Sequence, residues 1–220
     1  MSGTGAFACQ LAKNVFHAGK VITTVSTSKI PKVPELLGEG VVDQGAYQSM
    51  LLLCHFADLA LVVIDYTKQD PSDVIPPRSV DFLFDTTGQA MQFLSLMVPS
   101  TSSIVSISTT PSATTLQASS VMQRPDNPRI PLFGRVYLDG ADALRKLRAC
   151  RWGVTYMYWF LDPNKEDLDT LTGYVEEGKL VPVVGARVDM RDINKVREAC
   201  QLTYNGKGGL GKTVFEVIQA

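Results

Sequence analysis

Apolar and polar positions follow two rhythms along this chain. Behind Gly3-Thr4-Gly5, the residues Phe7, Leu11 and Val15 recur every four positions with Ala8 and Ala12 beside them. That spacing lays one apolar face along a helix, and Gly19 reads as its stop. Residues 20–26 are apolar and β-branched and predict a buried strand. Residues 26–40 read as a polar loop holding a short helix at 35–37, limited by Pro31 and Pro34. Further strands are predicted at 59–65, 80–85 and 104–107, with a helix over 89–98. The Ser/Thr-rich stretch 99–120 reads as strand plus loop, and Pro125, Pro128 and Pro131 punctuate an extended crossing. Then come a basic-faced helix over 141–150, an aromatic strand over 152–161 and a helix over 163–177 stopped by Gly178. A strand over 180–188, a helix over 192–204 and a strand over 213–218 complete the pattern. Strands alternating with helices at this spacing predict an α/β fold, a Rossmann-like doubly wound parallel sheet. Such a unit expects a strand before the glycines, so its first strand reads as missing.

Composition narrows the function. A 220-residue chain with 45% hydrophobic and 20% charged residues is globular rather than disordered. Twenty-one basic against 22 acidic residues leave a net charge of −1, which gives no electrostatic case for a nucleic-acid or membrane partner. Cys9, Cys54, Cys150 and Cys200 lie far apart, and the histidines are His17 and His55. No close ligand pair results, so no metal is expected; free thiols suit a reducing, cytoplasmic setting. The N-terminus has no charged segment ahead of an apolar run, as a signal peptide would. The longest apolar stretch, 50–64, is interrupted by His55 and Asp58 and is too short and polar to span a bilayer.

Two glycine motifs compete for the chemistry. In the first, Gly3-Thr4-Gly5 opens a helix, where small residues let a pyrophosphate approach free amides and the positive end of the dipole. The acidic ribose anchor expected about 20 residues on is replaced by Ser26-Thr27-Ser28-Lys29. Hydroxyls and an ammonium suit a 2′-phosphate, with no carboxylate among them to repel it; the other reading is an ordinary turn with a solvated lysine. In the second, residues 206–213 match the phosphate-loop pattern GxxxxGK[ST] at every fixed position. That mechanism needs a strand before the loop and a helix after it, whereas a helical pattern precedes it and a strand follows. It therefore reads as a glycine-rich turn into a strand. Asp65 and Asp85 end strands and read as turn caps rather than paired acids. The aromatic run Tyr156, Tyr158, Trp159 and Phe160 reads as core or interface.

Taken in order, residues 3–13, 20–29, 63–66, 80–88, 105–108, 174–183 and 211–215 resemble the cofactor domain of medium-chain dehydrogenases/reductases. The resemblance is to their zinc-independent quinone oxidoreductase and enoyl reductase branch, of fungal type. It implies an NADPH-dependent oxidoreductase that passes a hydride to a quinone or an activated C=C or C=O of a small-molecule substrate, without a metal, in a setting such as fungal secondary metabolism. It implies that Gly3, Thr4 and Gly5 face the pyrophosphate, and that Ser26, Ser28, Lys29 and Tyr66 hold the 2′-phosphate and adenosine side. Thr87 and Gly88 would line the cofactor cleft, with Ser108 and Thr109 near the nicotinamide. The catalytic residues stay unassigned.

The resemblance divides the chain into a dinucleotide-binding domain at 1–160 and a segment at 161–220. The latter combines the end of the cofactor domain with the remnant of a substrate domain. The family's N-terminal substrate domain reads as lacking, and residues 44–62 read as an insertion or a gene-model artefact. The alternative is therefore a truncated, non-catalytic dinucleotide-binding or interaction module. An uncovered sheet edge favours self-association as a homo-oligomer.

Overall fold

The computed structural model describes residues 3–27, 30, 33, 61–123, 125–126, 128–205 and 211–217. The chain forms two compact units, one of 1–69 with 165–220 and the other of 70–164. The short helix expected at 35–37 and the insertion at 44–62 fall largely or wholly outside the described residues, as do Ser28, Lys29 and Gly206.

In the first unit, helix α1 (Gly3–Gln10) continues into a π-helical turn, Leu11–Val15, and leads to strand β1 (Val21–Val25). The helix ends earlier than Gly19 would place it. Phe16 N–H reaches back five residues to Leu11 O, and His17, not glycine, takes the left-handed conformation at φ 51°. The Lys13 ammonium then donates to Ala18 O (3.2 Å) and Gly19 O (2.9 Å), tying the loop that follows back to the helix. Strand β2 (Leu61–Asp65) pairs with β1 in parallel, Val21 against Leu61 through Val25 against Asp65. Ala6, Cys9, Val25 and Val33 form the buried cluster of this unit, with Val21, Val63 and Val183 packed on it.

In the second unit a short helix, α2 (Pro71–Val74), precedes β3 (Phe82–Asp85) and β4 (Ser103–Ser106). The helix expected over 89–98 is instead two 3₁₀ turns, Ala90–Gln92 and Leu94–Leu96. Competition for backbone groups explains this. Leu96 O accepts from Ser79 N and Val80 N, and Val98 N donates to Val80 O, so those groups serve a parallel bridge between Val80 and Met97. After α3 (Ala113–Ala118), helix α4 runs over Leu132–Cys150, nine residues longer than expected at its N-terminal end. Gly134 and Gly140 weaken the helical signal there, but tertiary hydrogen bonds supply what propensity lacks: Asp139 Oδ1 accepts from Ala113 N (2.8 Å), and Arg145 donates to Thr110 O and Oγ1 (both 3.0 Å). Strand β5 (Thr155–Tyr158) completes the parallel order β3-β4-β5. Ala90, Leu94, Met97, Ile104, Ala149, Val154 and Tyr156 fill the core beneath it.

Back in the first unit, α5 (Lys165–Glu176) ends as expected at Gly178, whose φ is +70°. Strands β6 (Val184–Asp189) and β7 (Lys212–Glu216) pair in parallel across α6 (Ile193–Tyr204). Buried Gln10 ties α1 to the segment before β6: its amide nitrogen donates to Val181 O (3.1 Å) and its oxygen accepts from Val181 N (2.7 Å). All strand pairs among the described residues are parallel, as the α/β reading requires.

At the end of β6, Arg191 donates to both oxygens of Asp189 (2.8–3.2 Å). The Arg191 side chain, then its backbone N–H, holds this carboxyl at about 2. A depressed carboxyl contributes stability above its unfolded pKa and loses it as pH falls through the folded one, here between about 4 and about 2. A carbon-detected NMR titration of Asp189 should therefore give a midpoint near 2. In Arg191→Ala the midpoint should return toward the ordinary carboxylate range; an unmoved midpoint would assign the shift elsewhere.

Candidate functional site

The carboxyl ends of β3 and β4 lie side by side, and each runs into a turn rich in small and hydroxylated residues. Asp85 closes β3 and is only 4% exposed. Its Oδ1 accepts from the amides of Thr87 (3.0 Å), Gly88 (2.8 Å) and Gln89 (3.3 Å), and its Oδ2 accepts from Ser106 Oγ (2.9 Å). A carboxylate can take this many donors because both oxygens are acceptors only. The result is a tight turn that requires φ +81° at Gly88, where a side chain would be strained. A Cβ on Gly88 would lie 3.5 Å from Ser108 O and 3.8 Å from Thr109 Cγ2. Thr87, Gly88, Ser108 and Thr109 are thus brought together on one face, with backbone exposed at the glycine. The reading of Asp85 as a turn cap holds.

Beneath this face runs a line of hydroxyls. Thr109 Oγ1 donates to Ser106 Oγ (3.2 Å), and Tyr156 Oη lies 2.7 Å from Thr109 Oγ1. Ser106 is fully buried and Tyr156 is 5% exposed. The sequence reading of this aromatic run as core or interface holds for the Tyr156 ring, which is core, and misses its hydroxyl. The available signal was a phenol on a strand adjacent to β4, pointing to the same side as Ser106 two strands' widths from Asp85.

In the first unit, Ser26 and Tyr66 follow the adjacent ends of β1 and β2, and Tyr66 N donates to Val25 O (3.1 Å). Tyr66 is exposed. One feature differs from expectation: although residues 26–29 carry no carboxylate, β2 delivers one beside Thr27. Asp65 accepts from Thr27 Oγ1, from Thr67 Oγ1 (2.6 Å) and from Thr67 N (3.0 Å). Partial burial pushes its carboxyl up, but these donors outweigh that and hold it below the usual carboxylate range. Asp65, like Asp85, caps a turn.

Gly3, Thr4 and Gly5 form the first turn of α1 itself rather than a loop before it. At the other glycine motif, α6 precedes and β7 follows, so the described part lacks the strand-loop-helix order of a phosphate loop. Lys212 Nζ sits 5.9 Å from the centre of the Phe7 ring, a cation–π contact.

A family model described as zinc-binding dehydrogenase matches residues 60–214, more than half of the chain. The chain belongs to that family. The medium-chain dehydrogenase/reductase resemblance read from the sequence is borne out at this level. The fold agrees with solved members. A quinone oxidoreductase from Coxiella burnetii is 20% identical, with a TM-score of 0.57 over 99% of this chain and 50% of that one. A structure described as an NAD-dependent alcohol dehydrogenase is 18% identical, with a TM-score of 0.55 over 99% and 49%. A zinc-dependent alcohol dehydrogenase homologue from Rhizobium etli CFN 42 is 16% identical, with a TM-score of 0.53 over 100% and 53%. The chain thus spans about half the length of these structures. No curated protein matches it. Despite the family's description, no group of three His, Cys, Asp or Glu side chains among the described residues could hold a metal ion. The donor set present there does not fit zinc. No helix among them is long and apolar enough to cross a membrane.

Proposed function

We propose that this chain binds NADPH and supports hydride transfer to a quinone or an activated double bond of a small molecule, as an oxidoreductase of the quinone oxidoreductase and enoyl reductase branch. The observation that carries this reading is the paired turn at the ends of β3 and β4. Asp85 gathers three amides so that Gly88 presents bare backbone beside Ser108 and Thr109. A planar nicotinamide needs such a surface, shaped by backbone and small hydroxyls rather than by long side chains. Thr87 and Gly88 would line its cleft, and Ser108 and Thr109 would lie against the ring. Gly3, Thr4 and Gly5 would face the pyrophosphate, while Ser26, Ser28, Lys29 and Tyr66 would take the 2′-phosphate and adenosine. The bound dinucleotide supplies the hydride; the protein's part is to hold and orient it. The exposed Met157 on β5, the last strand in its described sheet, and Trp159 just after it support self-association along that edge.

Asp65 favours a second reading, NADH, because a carboxylate beside the end of β1 suits a ribose hydroxyl and opposes a phosphate. Thermal unfolding with each nucleotide separates the two. A ligand at 100 times its Kd stabilises the folded state by about 2.7 kcal/mol. NADPH is expected to raise Tm by several degrees and NADH by clearly less. Equal shifts, or a larger one with NADH, would remove the 2′-phosphate assignment. No shift with either would remove the dinucleotide reading altogether.

A further inference from the structure

The hydroxyl line under Gly88 has a direction that proton counting fixes. A serine or threonine hydroxyl has one proton to donate and two lone pairs to accept with. The Asp85 carboxylate only accepts, so Ser106 Oγ–H points to Asp85 Oδ2 (2.9 Å). Thr109 Oγ–H points in turn to Ser106 Oγ (3.2 Å). Where Thr109 spends its proton on Ser106, the 2.7 Å contact to Tyr156 is a donation from the phenol. Asp85, Ser106, Thr109 and Tyr156 therefore form one ordered chain across the ends of β3, β4 and β5. Its first member holds the Gly88 turn and its third sits in the Ser108–Thr109 turn.

Tyr156 is the far anchor of this chain. Its ring is fixed in the core among Leu94, Met97, Ile104 and Val154, so its hydroxyl is a rigid donor. Thr109 is only partly buried and lies in a turn whose outer neighbours, Ser108 and Thr110, face solvent. Without the phenol, Thr109 Oγ1 would keep one side-chain partner, Ser106, and the turn would be free to shift relative to Gly88.

We infer that Tyr156 is a positioning residue for the nicotinamide half of the dinucleotide: acting through Thr109 Oγ1, it sets the spacing between the Gly88 turn and the Ser108–Thr109 turn. This rests on the NADPH reading given above. It separates a core tyrosine's two roles, the ring holding the fold and the hydroxyl tuning the site.

The test uses the full chain and two probes, NADPH followed by nicotinamide fluorescence, and adenosine 2′,5′-bisphosphate followed by calorimetry. The second carries the 2′-phosphate and adenosine but no nicotinamide. Tyr156→Phe keeps the ring and removes the hydroxyl. It is expected to weaken NADPH binding about five- to tenfold, the size of one lost net hydrogen bond, and to leave bisphosphate binding unchanged. Thr109→Val, which loses the bond to Ser106 as well, should show the same split at least as strongly, and the double variant should be no worse than Thr109→Val, in which the contact to Tyr156 is already gone. Thr109→Ser, which retains the hydroxyl but not the methyl, should recover most of the NADPH affinity that Thr109→Val loses. If both probes weaken in parallel, or if neither changes, the positioning role is overturned while dinucleotide binding stands. A parent protein that takes up neither probe would instead bring down the NADPH reading and this role with it. Should Tyr156→Phe prove too unstable to measure, Thr109→Val must still weaken NADPH and spare the bisphosphate; loss of both alike, or of neither, overturns the role.

Discussion

Replacing Gly211 with alanine is expected to cost about 3–5 kcal/mol of stability, the combined effect of an enforced left-handed backbone and overpacking. Gly211 has φ +77° at the entry to β7. A Cβ there would stand 2.5 Å from Val183 O, 2.8 Å from Gly185 N and 3.0 Å from Val183 C. Those are backbone atoms of the neighbouring chain segment, so no rotamer change relieves the clash. Relief requires β6 and β7 to separate where Lys212 N donates to Val183 O (2.8 Å) and where the ladder already shifts register between Val184 and Ala186. Gly173 gives the matching control. It lies inside α5 with nothing within 4 Å of its would-be Cβ, so Gly173→Ala should raise stability by about 0.5–1 kcal/mol through helix propensity. Urea unfolding of both variants measures the contrast. Similar behaviour of the two would mean that the approach of β7 to β6 is looser than described.

Asp85→Ala should rank beside it. The side chain is buried and serves the amides of Thr87, Gly88 and Gln89 together with the Ser106 hydroxyl. Each buried donor left without a partner costs about 1–3 kcal/mol. Ser106 has no exposure to water at all, and the Gly88 amide is fixed by a turn that exists because of the carboxylate. A total loss of about 3–5 kcal/mol is expected on those grounds. Asp85→Asn should be milder, near 1 kcal/mol by the same scale. One oxygen still accepts the amides. The new NH₂ can donate to Ser106 if the hydroxyl chain reverses, Ser106 donating to Thr109 and Thr109 to Tyr156. Chemical denaturation reads the stabilities, and NADPH titration of the folded variants reads the site. An alanine variant within about 0.5 kcal/mol of the parent, the range of an uninvolved surface change, would show that the turn does not depend on this carboxylate.

The two aspartates show how far sequence reading reaches. That Asp65 and Asp85 cap turns was legible because each ends an apolar run and has a threonine two residues on, the local pattern of side chains bonding to their own backbone. The same logic placed the α5 stop at Gly178. It failed at 89–98, where an apolar stretch with helical spacing gave up its helix to a bridge between Val80 and Met97. It also failed at α1, where His17 rather than Gly19 turns the chain. Both failures are contests for backbone donors and acceptors, settled by groups distant in sequence or by a local alternative such as the Lys13 ammonium.

By itself, the order of residues determined the α/β class, the parallel pairing that short strands separated by helices impose, and the family to which the chain belongs. It also determined which segments end in glycine, threonine and aspartate, the material of the candidate site. Only the tertiary structure decided that Asp85, Ser106, Thr109 and Tyr156 form one directed chain, and that Asp65 stands beside Thr27. Local propensity acts over a few neighbours. Hydrogen-bond partners 21 to 47 residues apart are chosen by strand register, which the whole sheet sets at once.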